Sequence, residues 1–198
     1  ASYKQNRPAP PNELIPQFDY VKEIATQFGF VNIGVVNYEA DDVIGSLAQT
    51  YSDQNEVFII TGDKDILQCI NPNVEVWLTK KGFNIYNRYT LERFLEDYGI
   101  TPKQFIDVKA FMGDTADGYP GVKGIGEKTA LKLIKEHQSV EGVLSNISKL
   151  TQGQQTKINS HIDDLKLSKQ LAEIYTNVPL DTESLFDKMT YANTLQNI

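Results

Sequence analysis

Acidic side chains recur in three tight groups along the 198-residue chain. Tyr38-Glu39-Ala40-Asp41-Asp42 carries three carboxylates, Gly62-Asp63-Lys64-Asp65 carries two, and Gly113-Asp114-Thr115-Ala116-Asp117 places two more three residues apart. A single acid before a helix is ordinary capping, but three within four residues repel one another, and a cation turns that repulsion into attraction. With no Cys or His in the groups, the donor set selects hard, oxygen-binding ions: Mg²⁺, with Mn²⁺ as a substitute. Two such ions about 4 Å apart stabilise both the attacking hydroxide and the leaving oxygen of a phosphodiester. Metal-activated water would then do the work of a Ser, Cys or His nucleophile.

The third acidic group runs straight into a second device. Gly121-Val122-Lys123-Gly124-Ile125-Gly126-Glu127-Lys128-Thr129-Ala130 reads as a helix end, a tight glycine turn and a helix start. Glycine permits φ > 0 and close backbone approach, and the amides of such a turn and of the next first helical turn suit a phosphate. Lys123 and Lys128 flank the spot. On its own the turn reads as a plain helix-turn-helix corner. Beside a carboxylate pair it becomes the metal-plus-phosphate arrangement that cutting nucleic acid requires.

The run GDTADGYPGVKGIGEKTA resembles the signature of the 5′ nuclease (flap endonuclease-like) family, as found in bacterial 5′–3′ exonucleases and in the N-terminal domain of DNA polymerase I. The two upstream acidic groups match that family's other acidic motifs in order and spacing, and the likeness runs from about Tyr3 to about Leu180. The resemblance implies an α/β, PIN-like nuclease core, a parallel-rich sheet with flanking helices, then an all-helical subdomain with a helix-hairpin-helix-type motif. Residues 1–112 would form the core with the end of an arch, residues 113–180 the DNA-binding helical part, and residues 181–198 a tail.

Site roles follow from the same resemblance. Glu39, Asp41 and Asp42 would hold one side of a two-metal site, Asp63 and Asp65 its middle, and Asp114 and Asp117 the second metal. Lys4 and Arg7 would be the arch cations that steer the scissile phosphate. Gly121, Val122, Lys123, Gly124, Ile125, Gly126, Lys128 and Thr129 would contact DNA, and the turn would also take a monovalent cation, typically K⁺. The implied activity is structure-specific, metal-dependent 5′–3′ exonuclease and flap endonuclease cleavage in replication and repair. The substrate would be DNA with a 5′ flap, nick or primer end, RNA primers included, met by a monomer that in some relatives carries a polymerase domain in the same chain.

The family's first strand, with its N-terminal aspartate, and most of the preceding α/β half have no counterpart here. The chain is therefore expected to be a fragment of a longer protein, and the competing reading is a duplex-binding fragment without a complete active site. A ribonuclease of the small PIN type fits less well, because such domains lack the hairpin and the helical third. One departure stands out: the family's Asp-Asn-Ile/Leu-Pro is here Asp117-Gly118-Tyr119-Pro120. Both carboxylates survive, and the missing asparagine side chain is expected either to loosen the turn or to alter a hydrogen bond behind the metal ligands.

The elements that must position these groups follow from hydrophobic spacing. Residues 13–28 carry Leu14, Ile15, Phe18, Val21, Ile24 and Phe28 at helical period, which predicts a helix with one buried face stopped by Gly29. Residues 31–36 predict a short buried strand leading to Glu39, and Ala40, Val43, Ile44, Leu47 and Tyr51 predict the helix after it. Residues 57–61 predict a second buried strand, again ending in acids. Parallel neighbours bring their C-terminal ends together, where open α/β sheets place ligands. Residues 74–78 predict a strand, 83–86 its hairpin partner across the polar turn at Lys80-Lys81, and 90–98 a helix stopped by Gly99. Thr101-Pro102 predicts the start of the helix that ends at Gly113. Residues 128–136, 139–146 and 154–174 predict helices, and 177–198 a weakly periodic tail. His137 and His161 read as surface residues outside any ligand set.

The composition allows one sizeable core, at 40% hydrophobic content, with room for a small appended subdomain. The single cysteine, Cys69, sits in an apolar run and fits a reducing cytoplasm. No apolar run approaches the ~20 residues of a membrane span, so a soluble protein without membrane contact is expected. The net charge of −7 argues against a polyanionic partner, but seven carboxylates sit in the three groups, where divalent cations would offset them. Net charge governs solubility and encounter, and a local site can still be basic.

Overall fold

The computed structural model describes residues 9–80 and 85–189. Lys4 and Arg7 lie outside the described residues, as do Phe83 and Asn84 of the expected hairpin partner. Contacts divide the chain into two compact units: Tyr51–Ile174, and Pro8–Thr50 with Tyr175–Ile198. No helix among the described residues is long and apolar enough to cross a membrane.

In the unit Tyr51–Ile174, strands β1 (Val57–Thr61), β2 (Val74–Thr79) and β3 (Tyr86–Tyr89) form one sheet in that order. β1 pairs parallel with β2, Val57 opposite Val74 and Thr61 opposite Leu78, and β2 pairs antiparallel with β3, Thr79 opposite Tyr86. The hairpin partner thus lies later in the chain than its apolar residues suggested. β1 buries Ile59 but leaves Phe58 50% and Ile60 68% exposed, so it is a one-faced strand and not the fully buried one its composition predicts. Tyr86 stacks on Trp77 at 4.8 Å, the cross-strand aromatic pairing that steadies a short ribbon.

Three helices of this unit shape the site. α3 (Leu91–Tyr98) begins at Thr90, whose hydroxyl accepts from Arg93 N, and ends at Gly99. Thr101 and Gln104 form a reciprocal capping box that launches α4 (Phe105–Met112). α4 is almost wholly buried from Phe105 to Phe111, and Phe94, Tyr98 and Phe105 stack around its start. Its other neighbours are α5 (Glu127–His137) and α8 (Ile162–Ala172).

α6 (Val140–Ser145) and α7 (Gln152–Asn159) complete the helical part. The predicted helix over 154–174 is broken at Ser160-His161, where His161 leaves helical geometry at φ −134. Asp107, buried in α4, accepts from Val140 N at 3.0 Å and from Lys169 Nζ at 2.8 Å, which ties α4 to α6 and α8. His137 is a correction: its side chain is only 6% exposed, because it turns inward at the last residue of α5.

Where α4 stops, two stretches of backbone meet. Gly113 (φ +69) and Gly121 (φ +60) lie face to face, and a Cβ on Gly113 would sit 2.6 Å from the Pro120 carbonyl group. Val122 N donates to Phe111 O and Gly121 N to the buried Ser168 hydroxyl of α8. The seven-residue loop between the glycines is thus clamped at its base.

In the other unit, α1 (Ile15–Gln27) is a helix as predicted, but it has no buried residue. Its apolar stripe stays open among the described residues, with Phe18 51%, Val21 64% and Ile24 51% exposed. Residues 31–36 form no strand, since no strand of the described residues gives them a ladder and an extended chain needs one. α2 (Ala40–Tyr51) carries Asp41 and Asp42 in its first turn. Tyr38 stacks on Tyr175 at 5.8 Å, and the Ser46 hydroxyl accepts from Val178 N. The expected tail contains α9 (Thr182–Met189).

Gly113→Ala should lower stability by about 1–3 kcal/mol, since the new Cβ meets backbone and the φ is unfavourable. Gly126→Ala, where φ is −95 and a Cβ meets nothing within 4 Å, should change it by less than about 0.5 kcal/mol. Urea denaturation of both variants checks the pair, and equal effects would contradict the clamped geometry.

Candidate metal centre and phosphate-binding turn

The C-terminal end of β1 delivers the second acidic group. Thr61 Oγ1 accepts from Asp63 N at 3.0 Å, and Asp63 Oδ1 accepts from Asp65 N at 2.9 Å. Asp63 thereby caps the 3₁₀ helix Lys64–Cys69, and Asp65 sits in its first turn. Ile66 and Leu67, both fully buried, anchor that turn to the core.

The clamped loop delivers the third group. Asp114 and Tyr119 exchange backbone hydrogen bonds of 2.9 and 3.0 Å as an isolated antiparallel bridge. Asp114 Oδ1 accepts from Ala116 N at 2.8 Å and Asp117 N at 3.2 Å, a local turn that aspartate side chains favour. Asp65, Asp114 and Asp117 each offer a carboxylate oxygen within 4.8 Å of the others'. Three hard oxygen donors that close together fit a Mg²⁺- or Mn²⁺-sized ion.

A cation of the chain itself lies between two of them. Lys109 Nζ, from the last turn of α4, is 2.8 Å from Asp65 Oδ1 and 3.1 Å from Asp114 Oδ2. Burial alone would lower the Lys109 ammonium, but the Asp65 hydrogen bond and charge push it above its ordinary range. Burial would also raise Asp114, yet the Lys109 hydrogen bond and the Asp117 and Ala116 amides hold it below the usual carboxylate range. At Asp65 burial wins over Lys109, and its carboxyl is raised. Lys109 was missed from the sequence because it reads as one polar position in an apolar helix. Its spacing, one turn before Gly113-Asp114, was the available signal.

Tyr119 was flagged only as a departure from the expected motif. It is 3% exposed, packs with Ile106 and Ala172, and its hydroxyl is buried without a hydrogen-bond partner. Burial first, then the charges of Asp65, Asp114 and Asp117, push the phenol up. The three acids of the first group behave differently. Asp42 Oδ2 accepts from Glu39 N and Oδ1 from Tyr175 N, each at 3.0 Å, so Asp42 fastens the start of α2. Glu39 and Asp41 lie beside it, in the unit Pro8–Thr50 with Tyr175–Ile198.

The glycine turn follows the bridge directly. Val122 and Ile125 are buried at 1% and 3% exposure, so their side chains plug the turn into the core and only their backbones remain for a ligand. Lys123, Gly124, Gly126 and Lys128 are exposed. Gly124 has φ +82, whereas Gly126 is extended and opens α5. The first amides of a helix have no partner within it. An open groove of about 500 Å³ continues from the turn along α5, lined by Lys128, Leu131, Lys132, Lys135 and Glu136. His161 stands outside the acidic cluster, its Nδ1 donating to the Lys157 carbonyl at 2.8 Å.

Residues 1–99 match the family described as 5′-3′ exonuclease, N-terminal resolvase-like domain, and residues 100–194 match 5′-3′ exonuclease, C-terminal SAM fold. The chain belongs to the 5′–3′ exonuclease family. This exonuclease-family chain is 52% identical over 178 residues to a 5′-3′ exonuclease of Bacillus subtilis (strain 168), covering 90% of itself and 60% of that protein. It is 41% identical over 186 residues to the DNA polymerase I of Lactococcus lactis subsp. cremoris (strain MG1363), covering 91% of itself and 21% of that protein. The chain thus spans only part of the length of these relatives. Its fold is that of the bacteriophage T5 D15 protein co-crystallized with metal ions, with TM-score 0.73, 23% identity, and coverage of 98% of this chain and 76% of that one. The catalytic core of Rad2 in complex with DNA substrate is more distant, with TM-score 0.57, 19% identity and coverage of 90% and 59%.

Lys109→Met removes the charge that keeps Asp65 and Asp114 together and should destabilise the chain by about 3 kcal/mol in EDTA. Saturating Mn²⁺ should recover a large part of that loss, since a divalent ion neutralises the same carboxylates. Thermal unfolding with and without Mn²⁺ decides it. A loss that Mn²⁺ leaves untouched would show that these carboxylates do not share a cation.

Proposed function

We propose that this chain is part of a structure-specific, metal-dependent 5′–3′ exonuclease and flap endonuclease that hydrolyses phosphodiester bonds in DNA and RNA primers during replication and repair. The observation that carries the reading is the convergence of Asp65 with Asp114 and Asp117, the latter two on a loop whose far end opens the glycine turn. Family membership supports it, and so do structural neighbours crystallised with divalent ions or with DNA.

Asp65, Asp114 and Asp117 would hold Mg²⁺, or Mn²⁺ in its place. When bound there, the ions supply Lewis-acid stabilisation and a water acidic enough to attack at neutral pH. Glu39, Asp41, Asp42 and Asp63 are assigned to the two-metal set by resemblance, and single Asn or Gln substitutions test each. The chain's own residues do the rest. Lys109 keeps Asp65 and Asp114 from repelling one another, and the Ala116 and Asp117 amides orient Asp114. Lys4 and Arg7 grip the phosphate next to the cut. The first amides of α5, which follow Gly126, and the α5 lysines would hold a phosphate of the duplex flank, and carbonyls of the glycine turn would hold K⁺. The working form is a cytoplasmic monomer, its division of labour falling between residues 1–112 and 113–180, and a polymerase domain shares the chain in relatives of the DNA polymerase I kind.

The second reading, duplex binding without cutting, is favoured by one observation. Of the seven carboxylates named from the sequence, three form the metal-capable group among the described residues.

The assay is cleavage of a 5′-flap DNA with Mg²⁺ by this chain, by its Asp114→Asn and Asp117→Asn variants, and by the full-length protein. The full-length protein should cleave, and either substitution placed in it should cut the rate by at least about a hundredfold, as expected when binding of an essential metal is lost. This chain alone should cleave poorly while still binding the duplex. A full-length protein that cleaves as fast with Asp114→Asn as without it would overturn the reading.

A further inference from the structure

Lys157 lies outside every motif that the sequence singles out. It sits on α7, thirty-three residues beyond the glycine turn, yet its Nζ donates to the Gly124 carbonyl at 3.0 Å. The contact is with the tip of the turn itself: a Cβ built on Gly124 would lie 3.1 Å from the same nitrogen. Lys157 is exposed, and an ammonium has three donors. One is taken by the Gly124 carbonyl, which leaves two for a ligand.

The backbone of α7 is held in place to make this reach. Thr151 and Gln154 form a reciprocal capping box at its start, the buried Ile158 next to Lys157 anchors it, and the Lys157 carbonyl accepts from His161 Nδ1. A lysine held on a carbonyl at a surface turn puts a fixed positive charge where the amides of Gly126 and the first turn of α5 already favour an anion. Lys123 and Lys128 supply charge from within the motif, whereas Lys157 is tied to the turn's own backbone.

We propose that Lys157 is a phosphate-binding residue of the glycine turn: α7 supplies a tethered ammonium that, with the turn amides, holds one backbone phosphate of duplex DNA. The inference rests on the proposed duplex-binding role of the turn. It makes the phosphate site bipartite, built from the hairpin and from a helix distant in sequence, and it gives Gly124 a second reason to be glycine, since a side chain there would push Lys157 away.

The test is fluorescence anisotropy of a labelled blunt DNA duplex against this chain over a series of KCl concentrations. Each phosphate neutralised by the protein contributes about −0.9 to the slope of log K against log salt. Lys157→Ala should weaken binding about threefold and make the slope shallower by about 0.9, while Lys157→Arg should restore the slope. Lys166→Ala, which removes an exposed lysine elsewhere, should leave the slope unchanged. If Lys157 only braces the turn, its alanine variant will lose thermal stability with the slope unchanged, and the proposal is overturned. A wild-type chain that binds the duplex and loses binding on Gly124→Val, but keeps its slope in Lys157→Ala, overturns this inference and leaves the duplex-binding reading standing. No duplex binding by the wild type overturns both.

Discussion

The backbone of Gly113 lies against Pro120 and Gly121 so closely that neither glycine can carry a side chain. Much of the site depends on that contact. It converts the end of α4 and the start of the hairpin into one junction, so the loop from Asp114 to Pro120 is held at both ends. Ser168, fully buried on α8, holds the Gly121 amide from the other side. Asp114 is then oriented by its own loop amides, and the glycine turn begins directly after the bridge that carries the acids. In the unfolded chain these residues have no such relation. The junction is where the fold brings the acidic loop and the glycine turn together.

Electrostatics sets the second constraint. Three carboxylates within 4.8 Å would drive one another apart or take up protons. Lys109 resolves this at two of them, and it can do so because α4 is buried and its helical register places the ammonium at the mouth of the loop. The outcome differs between the two partners. Asp114, with backbone amides as well as Lys109, keeps a depressed pKa, while the more deeply buried Asp65 is raised. Asp65 is therefore the member of the pair whose charge most needs a further cation. The acidic balance of the whole chain says nothing of this; the local arrangement of one lysine and three aspartates does.

Much of this was legible in the sequence, and for physical reasons. Strand β1 followed by acids, the Thr101-Pro102 start of α4, the Gly99 stop of α3 and the glycine turn are all local signals, set by residues within four or five positions of each other. What was illegible depended on partners far along the chain. Burial of residues 31–36 and of one face of residues 13–28 was expected from their apolar residues, yet periodicity states only that a face wants cover and not that cover exists. Lys109 and Lys157 were passed over because lysine in a helix is usually solvent-facing. Their roles appear only when Asp65, forty-four residues away, and Gly124, thirty-three away, are brought beside them. His137 was misplaced in the same way, since its inward turn is a matter of packing. Of the seven acids, the three brought together, Asp65, Asp114 and Asp117, all lie in the unit Tyr51–Ile174, while the Asp63 side chain turns back to cap the helix that carries Asp65.

Diffraction from crystals of this chain soaked in Mn²⁺, with anomalous data collected near the manganese edge, tests the central claim most directly. The account predicts an anomalous peak about 2–2.5 Å from carboxylate oxygens of Asp65, Asp114 and Asp117, with the Lys109 ammonium displaced from at least one of its two aspartates. A soaked crystal with no peak there, or with manganese bound elsewhere while Lys109 keeps both of its aspartate contacts, would contradict it.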